Sequence, residues 1–151
     1  MKVAIISGSV YGRAEDVARH ALGLLRQTGL DVQYLPRAGL ADLLASNPEA
    51  VLVVTSSTGD GELPDDLLPL YQALRDQLPQ QFRGMPGAIL ALGDSSYSTY
   101  CGGGELISEL FAELGVEEIV PMLRLDGSET VDQETDAEPW LAELVTAWKG
   151  K

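Results

Sequence analysis

The sequence predicts an α/β fold: three layers around a doubly wound, five-stranded parallel sheet of order 2-1-3-4-5. Short, continuous apolar runs alternate with segments whose apolar residues recur at helical spacing. Such runs are typical of strands that helices bury on both faces. Right-handed crossovers leave few topologies for strands in this alternation. Gly, Ser, Thr and Asp gather after the first, third and fourth runs, where this strand order places a ligand crevice.

Five segments are predicted to be strands. The clearest are the apolar runs 3–6, 51–55 and 88–92. Residues 31–35 alternate in the manner of an edge strand that ends at Pro36, and residues 118–123 are predicted to form the fifth strand.

Helical spacing of apolar residues predicts the segments between the strands. The expected helices cover 14–25, 67–78, 106–114 and 140–148, with a short helix over 40–44. Gly29 and Gly115 are expected to end two of them, because glycine favours the position after a helix. Trp140 and Trp148 are expected to dock the last helix on the core, and His20 to be a surface or half-buried residue of the first helix.

Length and composition predict one domain over residues 1–151 that needs neither disulfide nor metal to fold. The chain is 45% hydrophobic, which is enough for an apolar core. Its single cysteine, Cys101, cannot form an internal disulfide, and no Cys/His cluster offers a zinc site. The first residues lack the features of a signal peptide, and no stretch approaches the roughly 20 apolar residues of a membrane span. We therefore expect a cytoplasmic protein that does not bind membranes.

The formal charge of −13, from 23 acids and 10 bases, disfavours binding to nucleic acid or anionic lipid. Six acids and no bases lie between residues 126 and 138. This segment is interpreted either as a solvated acidic loop or as a docking surface for a basic partner protein.

The loop after the first strand has the composition of an anion site. Ser7 and Ser9 offer hydroxyls, Gly8 and Gly12 allow close backbone approach, and a helix N-terminus follows. An ordinary strand-to-helix turn with a serine cap remains an alternative. The loop is neither a Walker A motif nor a G-x-G-x-x-G motif. Arg13 has the spacing of a small tyrosine phosphatase motif, but a serine stands where that chemistry needs a thiol.

The loops after the third and fourth strands show stronger signs of a ligand site. The loop 56–64 reads Ser-Ser-Thr-Gly-Asp-Gly-Glu-Leu-Pro, and the loop 93–104 places Tyr97 and Tyr100 among serines and glycines. Tyrosines in such a loop suit stacking on a flat ring. A flexible loop followed by a capped helix is the alternative for the first of these segments.

Together the three loops resemble those of short-chain flavodoxins and of the FMN domains of diflavin reductases. The resemblance covers essentially the whole chain in order and spacing, and the loop 93–104 is its most specific part. It implies that the cofactor is FMN, that the first loop holds the phosphate, and that the other two hold the isoalloxazine ring. The residues expected to bind FMN are Ser7, Gly8, Ser9, Val10, Tyr11, Gly12, Arg13, Ser57, Thr58, Gly59, Asp60, Gly61, Leu92, Gly93, Asp94, Tyr97, Tyr100 and Cys101.

The resemblance also implies particular roles. Tyr97 matches the outer stacking tyrosine, whereas Thr58 stands where an aromatic residue often covers the inner face of the ring. The peptide between Gly59 and Asp60 matches one that turns when the flavin is half reduced. Ala14 lacks the hydroxyl of the usual threonine, and Arg13 either compensates with its charge or points to solvent.

The function implied is one-electron transfer between an NADPH-dependent flavodoxin/ferredoxin reductase and basic-surfaced acceptor proteins, by a monomer without substrate turnover of its own. An FMN-containing accessory or assembly protein with a specialised partner is the alternative. A signalling receiver domain would share the fold, but it needs paired acids after the first strand and a lysine after the fifth. Ser7-Gly8-Ser9 and Arg124 supply neither.

Overall fold

A computed structural model of the chain describes residues 1–57, 61–93, 101–126 and 132–150. The strands are β1 (Lys2–Gly8), β2 (Asp31–Tyr34), β3 (Ala50–Thr55), β4 (Pro86–Gly93), β5 (Glu117–Glu118) and β6 (Leu123–Asp126). The helices are α1 (Arg13–Gln27), α2 (Leu40–Ala45), α3 (Leu68–Gln77), α4 (Gly102–Leu114) and α5 (Gln133–Lys149), with a 3₁₀ turn at Gln80–Phe82.

The sheet is parallel and its order is β2-β1-β3-β4-β5, with β6 also paired to β4. The predicted fold class and the order 2-1-3-4-5 are therefore confirmed. The apolar runs of β1, β3 and β4 occupy the centre of the sheet, where both faces are covered. This burial explains why they contain no alternating polar residues.

Side chains that alternate along the central strands build two cores, one on each face of the sheet. Val3 and Ile5 pack with α1 and α5, whereas Ala4 and Ile6 pack with α2, α3 and α4. Trp140 is 8% exposed and Trp148 is 1% exposed, which confirms that both tryptophans dock α5 on the core.

The fifth strand departs from its prediction as one segment over 118–123. The structure has two short strands here: β5 pairs with the start of β4, and β6 pairs with its end. Pro121 lies between them and has no N–H to give to the sheet. Its carbonyl instead accepts a hydrogen bond from Trp140 Nε1 at 2.9 Å. This hydrogen bond holds the segment between β5 and β6 against α5.

Two helices begin earlier than predicted. The helix expected from 106 begins at Gly102, and the helix expected from 140 begins at Gln133. Asp132 caps α5, because its side chain accepts a hydrogen bond from the Thr135 backbone N–H. The acidic segment 126–138 is therefore not all loop. Acids in the first turn of a helix are stabilised by its dipole, so the charge favours this helix start.

The remaining helix predictions are confirmed. Gly115 takes a left-handed conformation directly after α4, and Gly29 does so two residues after α1 ends. His20 is half-buried on α1, with Nε2 3.0 Å from Glu138 Oε2 on α5. In the described ranges, no helix has the length and apolar character that crossing a bilayer requires.

Candidate functional site

The carboxyl ends of three central strands meet at one edge of the sheet. Gly8 at the end of β1 is in register with Thr55 at the end of β3, and Thr55 is in register with Ala91 of β4. The loops that follow these strands are therefore neighbours. This is the edge at which the sequence predicts the ligand crevice.

The loop after β1 presents a buried hydroxyl at the start of α1. Ser9 Oγ is buried and has no hydrogen-bond partner in the described part of the chain. Gly12 is the residue before α1 and takes a left-handed conformation with φ 82°. The first N–H groups of a helix lack partners within the helix and carry partial positive charge, so a loop that leads into them and contains a buried hydroxyl suits an anion.

The exposed part of this loop turns its side chains to solvent. Val10 is 43% exposed and Tyr11 is 96% exposed. A role in binding for these two residues would therefore fall on their backbone groups.

The other serine of the loop already has a partner. Ser7 is 4% exposed, and its Oγ lies 2.6 Å from the hydroxyl of Tyr34 on β2. Burial raises the pKa of Tyr34, although the hydrogen bond to Ser7 opposes the shift. The Arg19 guanidinium lies 5.2 Å from the centre of the same ring. The hydroxyl of Ser7 is thus engaged in fixing the end of β1 to β2.

The turn before α3 packs tightly on the end of β1. A Cβ at Gly8 would lie 2.8 Å from Leu67 Cβ, so only glycine permits this approach. The contact brings the Asp66 carboxylate to the loop. The Ser9 N–H donates to Asp66 Oδ1 at 2.9 Å and to Oδ2 at 3.2 Å. Leu67 and the Asp66 contact were not predicted as parts of the site.

Arg13 and Ala14 take positions that the sequence left open. Ala14 lies on the buried face of α1 and is fully buried in the core. Arg13 Nη1 donates to Gln133 Oε1 at 3.2 Å, which ties the start of α1 to the start of α5. Arg13 is also exposed, as one of the two interpretations from sequence has it, and its contact with a neighbouring helix was not predicted.

Glycines join the loop after β3 to the start of α4. The Gly103 N–H donates to Ser57 Oγ at 2.8 Å. A Cβ at Gly102 would lie 2.5 Å from the carbonyl oxygen of Gly61, which is in a left-handed conformation with φ 78°. The start of α4 and the segment after β3 thus come into close contact. The sequence pointed to close approach by these glycines but not to their partners.

The remaining described candidates lie at the same edge of the sheet. Gly93 ends β4, and Leu92 is 3% exposed with its side chain in the core. Cys101 is fully buried, has a left-handed backbone with φ 55°, and precedes α4. Six further predicted site residues lie outside the described residues: Thr58, Gly59, Asp60, Asp94, Tyr97 and Tyr100.

The site has the donors that a phosphorylated flavin needs. Ser9 Oγ and the start of α1 suit a phosphate, and glycines bring the segment after β3 against the start of α4. Among the described side chains, no group of three or more His, Cys, Asp or Glu residues could hold a metal ion. The buried Ser9 hydroxyl, in the loop that leads into α1, fits the phosphate of FMN.

Comparison with known proteins agrees with this geometry. The family model described as Flavodoxin matches residues 5–140. An uncharacterized protein of Pseudomonas aeruginosa, PA3435, is 66% identical over 151 residues, covering 99% of this chain and 100% of that protein. Flavodoxin YqcA of Escherichia coli is 36% identical over 145 residues, covering 96% of this chain and 97% of that protein.

A solved structure extends the agreement to three dimensions. The C101A mutant of flavodoxin from Pseudomonas aeruginosa superposes with a TM-score of 0.96 at 65% identity, with 99% of each chain covered. The sheet order, the loops at its carboxyl edge, the family match and these relatives all lead to one conclusion. The chain belongs to the flavodoxin family, in its short-chain class, and is an FMN-binding electron carrier.

Proposed function

We propose that FMN binds across the carboxyl edge of β1, β3 and β4 in a single domain of residues 1–151. The loop from Ser7 to Arg13 holds the phosphate. The isoalloxazine ring lies between a loop from Ser57 to Gly61 and a loop from Leu92 to Cys101. Tyr97 stacks on one face of the ring, and Thr58 leaves the other face without an aromatic partner, which weakens binding by roughly 1 kcal/mol.

The observation that supports this placement best is the Ser9 hydroxyl. A buried polar group without a partner costs roughly 1–3 kcal/mol, so a folded protein rarely keeps one without a reason. Ser9 Oγ is such a group, and Ser9 lies in the short loop that leads into the N-terminus of α1. A phosphate oxygen would satisfy it with a charge-assisted hydrogen bond.

Bound FMN supplies the electron-transfer chemistry, and the chain binds and orients it. Ser7 is held by Tyr34, and the Ser9 amide is held by Asp66, so the loop has a fixed shape before the ligand arrives. The contact between Gly103 and Ser57 similarly fixes the start of α4 to the segment after β3. A site fixed in advance loses less entropy on binding.

Alanine at Ser9 tests the phosphate site. S9A removes a charge-assisted hydrogen bond worth about 1.5–3 kcal/mol, so the Kd for FMN rises by about 10- to 150-fold. The apoprotein keeps its stability or gains some, because the variant also removes an unsatisfied buried group.

Fluorescence titration with FMN and with riboflavin, plus urea unfolding of the apoprotein, measures both effects. Riboflavin has no phosphate, so its affinity stays the same. Equal losses for FMN and riboflavin would place the phosphate elsewhere.

The partners we propose are an NADPH-dependent flavodoxin/ferredoxin reductase and acceptor proteins with basic surfaces. The charge of −13 favours such surfaces at long range. We further propose that the protein acts in the cytoplasm as a monomer and turns over no substrate of its own.

An accessory or assembly protein that uses FMN with a specialised partner is the second candidate. The departures at Ala14 and Thr58 from the usual flavodoxin pattern favour it. Stopped-flow reduction by a ferredoxin/flavodoxin-NADP reductase separates the two. Rapid, salt-sensitive reduction of the FMN is expected of a general carrier, whereas a specialised protein stays oxidised on that timescale.

A further inference from the structure

Asp66 stands in an unusual place for an acid. Its carboxylate accepts the Ser9 N–H with both oxygens, at 2.9 and 3.2 Å. The hydroxyl of that same serine is the buried group proposed to meet the phosphate. A carboxylate therefore contacts the main chain of the same residue whose side chain is proposed to meet a phosphomonoester. A phosphomonoester carries about −1.5 to −2 charges at neutral pH.

The position of Asp66 is built into the packing of the loop. Asp66 lies in the turn before α3, where the Leu67 and Leu68 N–H groups both donate to the Pro64 carbonyl. Leu67 is 2% exposed and rests against Gly8, where any side chain would collide with it. The turn therefore cannot withdraw from the end of β1 without opening the core. The carboxylate is held at the loop.

The contact has two opposite consequences for an anion. Because Asp66 fixes the Ser9 amide, it directs the Ser9 hydroxyl and keeps the loop in shape. Because it is an acid, it repels the charge that the loop would bind. An amide side chain could perform the first task without the second, since its oxygen also accepts a hydrogen bond.

We propose that Asp66 is a positioning residue of the phosphate loop whose charge also lowers the affinity for flavins that carry a phosphate. This inference rests on the proposed phosphate site and adds a determinant of its strength. Asp66 orients Ser9 through the backbone and does not itself touch the cofactor. Its charge lowers the affinity for FMN, which carries a phosphate. The affinity for riboflavin, which carries none, is unaffected by this charge.

Asp66→Asn and Asp66→Ala separate the two consequences. D66N keeps an acceptor for the Ser9 N–H and loses the charge, so the Kd for FMN falls by about three- to tenfold. The Kd for riboflavin stays the same. D66A loses the acceptor as well, so it binds FMN several-fold more weakly than D66N. The gain of D66N over the natural protein shrinks in 1 M NaCl, where charges are screened beyond about 3 Å.

Asp65→Asn is the matched control. Asp65 is the exposed neighbour of Asp66, so D65N makes the same change of charge away from the Ser9 amide. It is expected to change FMN affinity less than D66N. Unfolding of each apoprotein in urea verifies that all the variants fold.

The results that would overturn the proposal are distinct. It is wrong if D66N binds FMN no more tightly than the natural protein, if riboflavin gains as much as FMN, if D66A equals D66N, or if D65N gives the same gain. Failure of the underlying phosphate site looks different. In that case the natural protein itself binds FMN and riboflavin equally, whatever residue 66 is.

Discussion

At the scale of single residues, two glycines allow the start of α4 to contact the segment after β3. A Cβ at Gly102 would lie 2.5 Å from the Gly61 carbonyl oxygen, and one at Gly103 would lie 2.7 Å from the Ser56 carbonyl oxygen. Both obstacles are backbone atoms, which cannot rotate away as a flexible side chain can. The start of α4 and the loop after β3 therefore stay in contact only while these positions remain glycine.

Gly102→Ala tests this contact, with Gly23→Ala as its control. G102A forces the start of α4 away from the segment after β3 and costs about 1–3 kcal/mol of unfolding free energy, together with a loss of FMN affinity. Gly23 is exposed within α1, and a Cβ there would meet nothing within 4 Å. G23A should therefore add up to about 1 kcal/mol of stability without changing FMN affinity. Urea unfolding and FMN titration measure both. Equal stabilities for the two variants would mean that the loops separate without cost.

At the scale of elements, the start of α5 depends on one cap. The Thr135 backbone N–H donates to Asp132 Oδ1 at 3.1 Å, and its hydroxyl donates to Oδ2 at 2.7 Å. These hydrogen bonds, the hydroxyl one first, hold the pKa of Asp132 below its ordinary value. The ionised form is therefore the one that stabilises the helix.

A depressed pKa gives stability that is present above the pKa of the unfolded chain, near pH 4, and is lost as pH falls through the lower folded value. Asp132→Ala should be less stable than the natural protein at pH 7, and the difference should shrink below about pH 5. Asp132→Asn keeps a good capping residue and should be nearly as stable at pH 7. Urea unfolding from pH 7 to pH 3 measures the three proteins. A difference from D132A that stays constant over this range would contradict the role of the ionised cap.

The elements also show which parts of the fold can be predicted from local sequence. Strands β1, β3 and β4 were predictable because each is a continuous apolar run buried on both faces. The division of the fifth strand was not, because it depends on Trp140 donating to a carbonyl 19 residues earlier. The early start of α4 was missed for a similar reason. Three glycines are weak helix formers, and contacts with the loop after β3 outweigh that preference.

The candidate site, too, could be predicted only in part from local sequence. Its three loops were recognisable from composition and order, because hydroxyls and glycines follow the strand ends directly. The contact of Asp66 with Ser9 joins residues 57 positions apart, and nothing in the local sequence marks it. The partners of Ser7 and Arg13 lie on β2 and α5, and they too depend on tertiary packing.

At the scale of the whole molecule, charge is the dominant feature. The chain carries 13 more acids than bases, whereas the ion pairs of the described residues are surface contacts such as Arg19–Glu15 at 2.9 Å and Arg124–Glu105 at 3.4 Å. Exposed pairs of this kind contribute about 0–1 kcal/mol each. Repulsion among the excess acids opposes the compact state, and it acts over the whole surface.

Salt should therefore stabilise the apoprotein. Raising NaCl from 0.02 to 1 M shortens the screening length to about 3 Å, which weakens the general repulsion more than the few close pairs. The midpoint of urea unfolding should rise with salt. The triple variant Asp76→Asn, Glu109→Gln, Glu143→Gln changes three exposed acids and reduces the formal charge from −13 to −10. It should be more stable than the natural chain at low salt and respond less steeply to NaCl. A midpoint that falls with salt, or equal slopes for the two proteins, would show that close ion pairs outweigh the repulsion between the excess acids.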